Sequence, residues 1–282
     1  MRVLITGAGG QVGHELVEVF TAGGHAVAGF DHAGLDITDR DAVLAAVVEF
    51  HPDAVVHSAA WTAVDACEGD PDRAFAVNAI GTRFVVEAAR LVGAAVHYIS
   101  TDYVFDGTKD GAYLEWDEPN PQSVYGRSKL AGERELDEGS SIIRTSWVCG
   151  FHGPNMVKTI LRLAAENDVL SFVDDQRGCP TLADDLAAMI ARLVIERRTG
   201  TFHVTNAGPV SWFEFAQEVL RANGDDPSRV RAVATADLQP PRPAPRPANS
   251  VLDHASLRLS GIDTMDDFRI PLARLVRRLA DG

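Results

Sequence analysis

A glycine-rich turn directly after an apolar N-terminal run constrains the fold of this chain more than any other feature. In the stretch LITGAGGQVG, glycines occur at Gly7, Gly10 and Gly13, and apolar side chains follow at helical spacing. Glycine permits a tight turn, close approach of the backbone to a pyrophosphate, and close packing of a helix on a strand. The helix N-terminus then points its free N–H groups at the anion. An ordinary strand-to-helix turn is the alternative, but the strand–turn–helix context favours a dinucleotide-binding site.

Short apolar runs alternate with helical patterns through the first half of the chain. The strand candidates are residues 3–6, 26–30, 54–57, 95–100 and 141–145, and the helix candidates are 13–20, 41–50 and 72–91. Nearly continuous apolar strands are typical of parallel strands buried on both faces. The alternation predicts an α/β fold with a doubly wound, Rossmann-like parallel sheet and right-handed crossovers.

The second half of the chain is less regular. Its strand candidates are residues 169–173 and 201–205, and its helix candidates are 184–197, 212–222 and 266–279. We therefore expect residues 1–145 to form mainly the dinucleotide-binding domain. Residues 146–282 are expected to form mainly a smaller, substrate-binding lobe, with some segments returning to the main sheet.

The stretch PPRPAPRPANS, residues 240–250, is too rich in proline for a helix or a central strand. It is either a linker or a stiff segment whose arginines line a site.

Composition and charge exclude several classes of partner. The chain has 26 basic and 40 acidic residues, a formal charge of −14, which argues against nucleic acid and anionic membrane as main partners. No apolar run approaches the roughly 20 residues of a membrane-spanning helix. Cys67, Cys149 and Cys179 are widely spaced, as is typical of reduced thiols. Because the N-terminus also lacks the apolar region of a signal peptide, we expect a cytoplasmic protein.

Residues at three places in the first half suit a nicotinamide dinucleotide: the end of the second strand, the turn after it, and the end of the third strand. Asp31 ends the second strand, 18 residues after the last glycine of the turn, where a carboxylate accepts hydrogen bonds from the adenine ribose and repels a 2′-phosphate. This favours NADH, although NADPH remains open. Asp36 and Ile37 suit the adenine, unless Asp36 is only a turn residue. Ser58, Ala59 and Ala60 are small enough for the cofactor to lie against the sheet edge, unless their size serves only tight packing.

A hydroxyl at a strand end and a tyrosine–lysine pair suit the reduction of a ketone. Thr101 follows the fourth strand, and the carboxyl ends of parallel strands face the ligand crevice. Tyr125 and Lys129 lie one turn apart on the next helix. The spacing alone is weak evidence. In this context, however, we expect Tyr125 to donate the proton and Thr101 to bind the carbonyl oxygen. We expect Lys129 to hold the ribose and, together with an oxidised nicotinamide, to lower the pKa of Tyr125.

Several longer motifs occur in the order found in a known family. They are GGQVG, AAWTAVDACE, DPDRAFAVNA, STDYVFDG, VYGRSKLAGE, RTSWVCG, DDQRGCPT and RPANS. With them the chain resembles an extended short-chain dehydrogenase/reductase, specifically the dTDP-4-dehydrorhamnose reductase family, over nearly its whole length. The resemblance implies that NADH or NADPH reduces the 4-keto group of dTDP-4-dehydro-6-deoxy-L-mannose, or of a related dTDP-4-keto-6-deoxyhexose. It is compatible with a monomer or a homodimer.

The resemblance also implies roles for individual residues. Thr101, Tyr125 and Lys129 would be catalytic. Besides Tyr125 and Lys129, the residues in contact with the cofactor would be Gly7, Gly10, Gln11, Val12, Asp31, Asp36, Ile37, Ala59, Ala60 and Thr62. The residues in contact with the nucleotide sugar would be Val104, Trp147, Asn155 and Arg246. The prolines next to Arg246 restrict the backbone around it, and a guanidinium held in this way suits bidentate binding of a diphosphate.

A magnesium ion is compatible with the resemblance but is not expected. Some members of the family hold Mg²⁺ at a dimer contact, where Glu15, Asp184 and Asp281 occupy the matching positions. Two of these three are aspartates, and hydride transfer does not need the ion. Further departures from the family pattern are His57 with Ser58, and Arg177 with Cys179, which we expect to affect substrate choice only.

Three other functions compete with ketone reduction. A nucleotide-sugar dehydratase needs a carboxylate two residues after Thr101, where this chain has Tyr103, so dehydration is disfavoured. A nucleotide-sugar 4-epimerase would hold NAD tightly without consuming it. A non-catalytic subunit, resembling the regulatory subunit of methionine adenosyltransferase, would bind a partner and show no turnover.

Overall fold

A six-stranded parallel sheet forms the centre of the molecule, for which the computed structural model describes residues 1–281. Its strands are β1 (Arg2–Thr6), β2 (Ala26–Phe30), β3 (Ala54–His57), β4 (Ala95–Thr101), β5 (Ser141–Thr145) and β10 (Gly200–His203). Their order across the sheet is β10-β5-β4-β3-β1-β2, and every neighbouring pair is parallel. All six were predicted as strands to within a few residues. The late strand β10 lies beside β5 at the edge of the sheet.

Helices cover both faces of this sheet. The α-helices of the described chain, three of which pack in the C-terminal half instead, are α1 (Gln11–Ala22), α2 (Arg40–Phe50), α3 (Val64–Gly69), α4 (Pro71–Phe75), α5 (Gly81–Val92), α6 (Val124–Glu133), α7 (Met156–Glu166), α8 (Ala183–Ile195), α9 (Trp212–Asn223), α10 (Ala255–Leu259) and α11 (Arg269–Asp281). In β1, Val3 and Ile5 pack in a cluster with α1 and α8, whereas Leu4 packs in a second cluster with α2 and α5. Successive side chains of a strand point to opposite faces, so both faces are buried. These features confirm the predicted doubly wound, Rossmann-like α/β fold.

The helix predicted at residues 72–91 is interrupted. A π-helical segment, Ala76–Ile80, lies between α4 and α5. Within it the amide of Asn78 accepts a hydrogen bond from the N–H of Trp61 at 2.8 Å and donates to the hydroxyl of Ser128 at 2.9 Å. Short π-helical segments within α-helices are frequent at functional sites. Here Asn78 connects the loop after β3 to α6.

A separate apolar cluster holds the C-terminal half together. It unites α7, α9 and α11 with the two-stranded parallel pair of β7 (Leu170–Val173) and β12 (Val230–Val233). Short strands β6 (Val148–Cys149), β8 (Arg177–Gly178), β9 (Thr181–Leu182) and β11 (Val210–Ser211) form two more pairs. The last helix begins at Arg269 rather than at residue 266, because the preceding residues bond to Ala207 instead.

None of the helices within residues 1–281 is long and apolar enough to cross a membrane. Cys67, Cys149 and Cys179 are buried and free. Residues 240–250 contain neither helix nor extended strand pairing, as their prolines predict.

Candidate active site

A cleft of about 960 Å³ opens at the carboxyl ends of the parallel strands. All the residues that sequence analysis assigned to catalysis or cofactor binding line this cleft, and so does Trp147. The other three candidate sugar contacts, Val104, Asn155 and Arg246, lie outside its lining. The position agrees with the general rule that ligands bind where the strands of an open α/β sheet end.

The glycine turn at one end of the cleft has the shape of an anion site. Gly7 has φ +71°, and a Cβ built on it would lie 2.7 Å from the backbone nitrogen of Ala59, so only glycine fits. A Cβ on Gly13 would overlap the backbone of Gly7 and Ala8. Helix α1 begins at Gln11 without any side-chain cap. Its first N–H groups are therefore free to bind a phosphate oxygen.

Two aspartates, Asp31 and Asp36, line the cleft. Asp31 is exposed, and its carboxylate accepts a hydrogen bond from the N–H of Gly34 at 2.8 Å. Asp36 accepts hydrogen bonds from the N–H and the hydroxyl of Thr38, which lower the pKa of Asp36 below its ordinary value. Asp36 thus has a turn-forming role in addition to its position in the cleft.

Thr101, Tyr125 and Lys129 all line this one cleft. Thr101 is the last residue of β4, and Tyr125 is in the first turn of α6, a helix capped by the side chain of Ser123. One turn later, the ammonium of Lys129 donates a hydrogen bond to the carbonyl of Ile99 at 2.7 Å and lies 3.9 Å from the ring centroid of Tyr98.

Burial changes the acidity of both members of the tyrosine–lysine pair. It lowers the pKa of Lys129 to about 7, against the charge of Glu133, which raises it. We expected Lys129 to lower the pKa of Tyr125, but in this structure burial raises that pKa, and the Thr101 hydroxyl opposes the rise only in part. This effect of burial applies to the chain alone, in which the ammonium of Lys129 is bonded to the carbonyl of Ile99. Tyr125 is consequently protonated, which is the form that can donate a proton. The expectation that Lys129 and an oxidised nicotinamide together lower the pKa of Tyr125 concerns the cofactor complex and stays a prediction.

Asp102 is a carboxylate in the cleft that sequence analysis did not assign. It is 2% exposed and accepts a hydrogen bond from the hydroxyl of Thr101 at 3.0 Å. Burial raises the pKa of Asp102 to about 6, and the hydroxyls of Ser250 and Thr101 nearby oppose this rise only in part. The signal in the sequence was the motif STD at the end of a strand, of which only the threonine was assigned.

Trp147 is held in place by its backbone and by two neighbours. It has φ +48°, a rare value for a residue other than glycine. Its indole stacks on that of Trp212, with centroids 3.6 Å apart and planes 7° from parallel. The edge of the indole lies so close to Gly178 that a Cβ there would be 2.6 Å from Cε2. Trp212 also lines the cleft, although nothing in the sequence connects it with Trp147.

Asn155 and Val104 do not reach the cleft. Asn155 caps α7 by accepting a hydrogen bond from the N–H of Lys158, and its amide donates to Gln11 and to the carbonyl of Gly150. Val104 is 0% exposed and packs with Phe105. A substrate contact by Val104 would require the segment to move, and both sugar contacts stay predictions.

Arg246 is paired with a carboxylate. Its two terminal nitrogens donate to Asp65 at 2.5 and 2.8 Å, and Asp65 also accepts from the N–H of Ala244. Arg242 lies 3.6 Å from the same carboxylate. Residues 240–250 are therefore anchored beside the cleft rather than forming a free linker. The predicted contact between Arg246 and a diphosphate would have to share the guanidinium with Asp65.

The acidic residues considered for a metal are not clustered. Within residues 1–281 no group of three or more histidine, cysteine, aspartate or glutamate side chains is placed to hold an ion. Glu15 lies 3.7 Å from Arg278, and burial raises the pKa of Glu15. Asp184 pairs with Arg274 at 3.3 Å, and Asp281 ends α11.

Several known proteins are similar to this chain over nearly its whole length. The family model described as RmlD substrate binding domain matches residues 1–280. A dTDP-4-dehydrorhamnose reductase of Streptomyces griseus is 42% identical, with 96% of this chain and 91% of that protein covered. A dTDP-4-keto-6-deoxy-D-glucose reductase of Streptomyces niveus is 37% identical, with 93% and 91% covered. The crystal structure of a dTDP-4-dehydrorhamnose reductase from Bacillus anthracis in complex with NADP has a TM-score of 0.94 and 41% identity, with 98% and 99% covered.

Proposed function

Because the chain belongs to the RmlD substrate binding domain family, we propose that it reduces the 4-keto group of dTDP-4-dehydrorhamnose to give dTDP-L-rhamnose. A closely related dTDP-4-keto-6-deoxyhexose is the alternative substrate. The observation that carries the proposal is the single cleft in which the glycine turn and the trio of Thr101, Tyr125 and Lys129 come together. Thymidine-linked keto sugars appear in the names of the similar proteins above, which supports the substrate class.

The residues of the cleft fit a nicotinamide dinucleotide. The glycine-only surface at Gly7 and the uncapped start of α1 suit the pyrophosphate. Small residues Ala59 and Ala60 leave room beside the sheet edge. When bound, a reduced nicotinamide supplies the hydride for the carbonyl carbon. The protein holds the cofactor and the substrate next to each other.

Proton transfer to the carbonyl oxygen is the part that this chain performs itself. Tyr125 is protonated and buried, so its hydroxyl is available to donate to the oxygen as negative charge develops there. The Thr101 hydroxyl, which donates to Asp102 in this structure, would turn to the carbonyl oxygen and become the second donor to it. The Lys129 side chain, anchored at Ile99, would hold the ribose and stabilise the phenolate that remains.

We propose that NADH is preferred over NADPH. Asp31 lines the cleft, and next to a bound adenine ribose its carboxylate would accept from the ribose hydroxyls and repel a 2′-phosphate. The similar Bacillus anthracis structure contains NADP, so the exposed position of Asp31 would have to admit the phosphate if NADPH is used.

The stacked pair Trp147–Trp212 favours a deoxysugar. An apolar indole wall binds the face of a sugar that carries a methyl group better than one that carries a hydroxymethyl group, because a hydroxyl buried without a partner costs free energy.

We also propose a cytoplasmic location, which the three free cysteines favour. The protein would be either a monomer or a homodimer.

A substrate panel tests the function. The purified protein is incubated with several dTDP-4-keto-6-deoxyhexoses, each with NADH and with NADPH, and cofactor oxidation is followed together with the product's mass. We expect stoichiometric oxidation with at least one sugar. Epimerisation without net oxidation would indicate a 4-epimerase, and failure with every pair would favour a non-catalytic binding role.

A further inference from the structure

Gln11 connects the glycine turn to the C-terminal lobe. It is the first residue of α1 and lines the cleft. Its side-chain oxygen Oε1 accepts hydrogen bonds from the N–H of Gly150 at 2.9 Å and from Nδ2 of Asn155 at 3.1 Å. These contacts join residues that are 139 and 144 positions apart in the chain. A side chain that begins the helix after the glycine turn is therefore bonded directly to a loop of the other half of the molecule.

The orientation of both amides follows from their backbone partners. The N–H of Gly150 can only donate, so the atom of Gln11 that faces it has to be the oxygen. The N–H of Lys158 donates to Oδ1 of Asn155 at 3.2 Å, which leaves Nδ2 of Asn155 to face Gln11. Nε2 of Gln11 has no hydrogen-bond acceptor among residues 1–281. Both of its hydrogens are thus available to an acceptor in the cleft.

Side chains at the start of α7 hold the conformation of the loop that Gln11 contacts, residues 150–155. The ammonium of Lys158 donates to the carbonyls of Phe151 and Gly153, at 2.6 and 2.8 Å. Nδ2 of Asn155 also donates to the carbonyl of Gly150 at 2.6 Å. The loop begins three residues after Trp147 and ends at Asn155, so its position affects both predicted sugar contacts.

We propose that the amide pair Gln11–Asn155 couples cofactor binding to the position of loop 150–155, so that cofactor and nucleotide sugar bind cooperatively. Both are positioning residues in this role. An acceptor on the cofactor that engages Nε2 fixes the Gln11 side chain, and the loop then docks on an amide that is already ordered. The inference rests on the proposed function, and it adds that the affinity for one ligand depends on whether the other ligand is bound. Linkage requires the dependence to be reciprocal.

Calorimetric titration tests the coupling with dTDP as the probe of the sugar site. dTDP is titrated into the full-length protein with and without saturating NADH or NADPH. We expect dTDP to bind at least about fivefold more tightly when cofactor is present, within the usual range of coupling between sites. The reciprocal titration of cofactor, with and without dTDP, should give the same factor.

Asn155→Ser isolates the amide pair. Serine still caps α7 by accepting from the N–H of Lys158, but it has no amide to donate to Gln11. We expect the ratio of the two dTDP affinities to fall toward one, while cofactor alone binds as in the wild type. Asn155→Asp, which also keeps the cap and cannot donate, is the second variant if the serine protein does not fold. Asn167→Ser at the other end of α7 is the matched control and should keep the wild-type ratio.

Two results would overturn the inference. One is a wild-type protein that binds dTDP equally well with and without cofactor, and the other is an Asn155 variant that keeps the wild-type ratio. If the wild-type protein binds neither NADH nor NADPH, the proposed function fails as well. Turnover without coupling would overturn the inference alone.

Discussion

Replacing Gly178 with alanine tests how the structure holds Trp147. A Cβ at this position would lie 2.6 Å from Cε2, 2.8 Å from Nε1 and 2.9 Å from Cζ2 of the indole. Gly178 does not have a positive φ, so alanine meets no backbone strain of its own. The indole cannot yield easily, because it is stacked on Trp212. The added methyl group therefore has to displace Trp147 from its stack.

The expected cost is that of overpacking a filled site, about 1–3 kcal/mol. If the whole cost falls on binding of the nucleotide sugar, its KM rises roughly 5- to 150-fold, since each 1.4 kcal/mol corresponds to about a factor of ten. Any remainder appears as a lower free energy of unfolding. Gly178 lies outside the lining of the cleft, so the KM of the cofactor should not change.

The assay combines steady-state kinetics with denaturant unfolding. Circular dichroism adds an independent readout, because two stacked indoles give an exciton signal that should weaken in Gly178→Ala. Gly69→Ala is the matched control, since a Cβ there meets no atom within 4 Å. The reasoning is refuted if Gly178→Ala leaves the sugar KM, the unfolding free energy and the exciton signal all unchanged.

Three further changes test the chemistry of the cleft. Tyr125→Phe removes the proton donor, and kcat should fall about 100- to 10,000-fold with cofactor affinity retained; an unchanged kcat in steady-state assays would contradict this. Burial lowers the pKa of Lys129 from 10.5 to about 7, so between these values the unfolded chain binds one proton more than the folded chain and stability rises with pH. Lys129→Met should remove this rise, as urea unfolding near pH 7 and pH 10 would reveal, and an equal rise in both proteins would rule it out. Asp31→Ala should shift the ratio of kcat/KM values toward NADPH by roughly tenfold, and kinetics with both cofactors would disprove the ribose role if the ratio stayed constant.

Features that depend on local pattern could be predicted from the sequence. The glycine turn, the six central strands and the position of Thr101 at a strand end follow from the apolar alternation and from the rule for strand ends. Tyr125 and Lys129 follow from helical spacing. Each of these inferences uses residues that are close together in the chain.

Features that depend on distant contacts could not be predicted in this way. The pairing of Asp65 with Arg246 joins residues 181 positions apart, and the stack of Trp212 on Trp147 joins two halves of the lobe. The rise in the pKa of Tyr125 in the chain alone could not be predicted, because burial is set by the packing of the whole cleft. The interruption of the helix at residues 76–80 likewise depends on what Asn78 contacts.

Transfer of deuterium tests the central claim most directly. The protein is given a dTDP-4-keto-6-deoxyhexose together with NADH or NADPH that carries deuterium at the transferable position, and the product is analysed by mass spectrometry and NMR. If the trio in the cleft reduces the 4-keto group, one deuterium appears at C4 of the sugar for each cofactor oxidised. A product without deuterium at C4, or a sugar changed with no net oxidation of cofactor, would contradict the account.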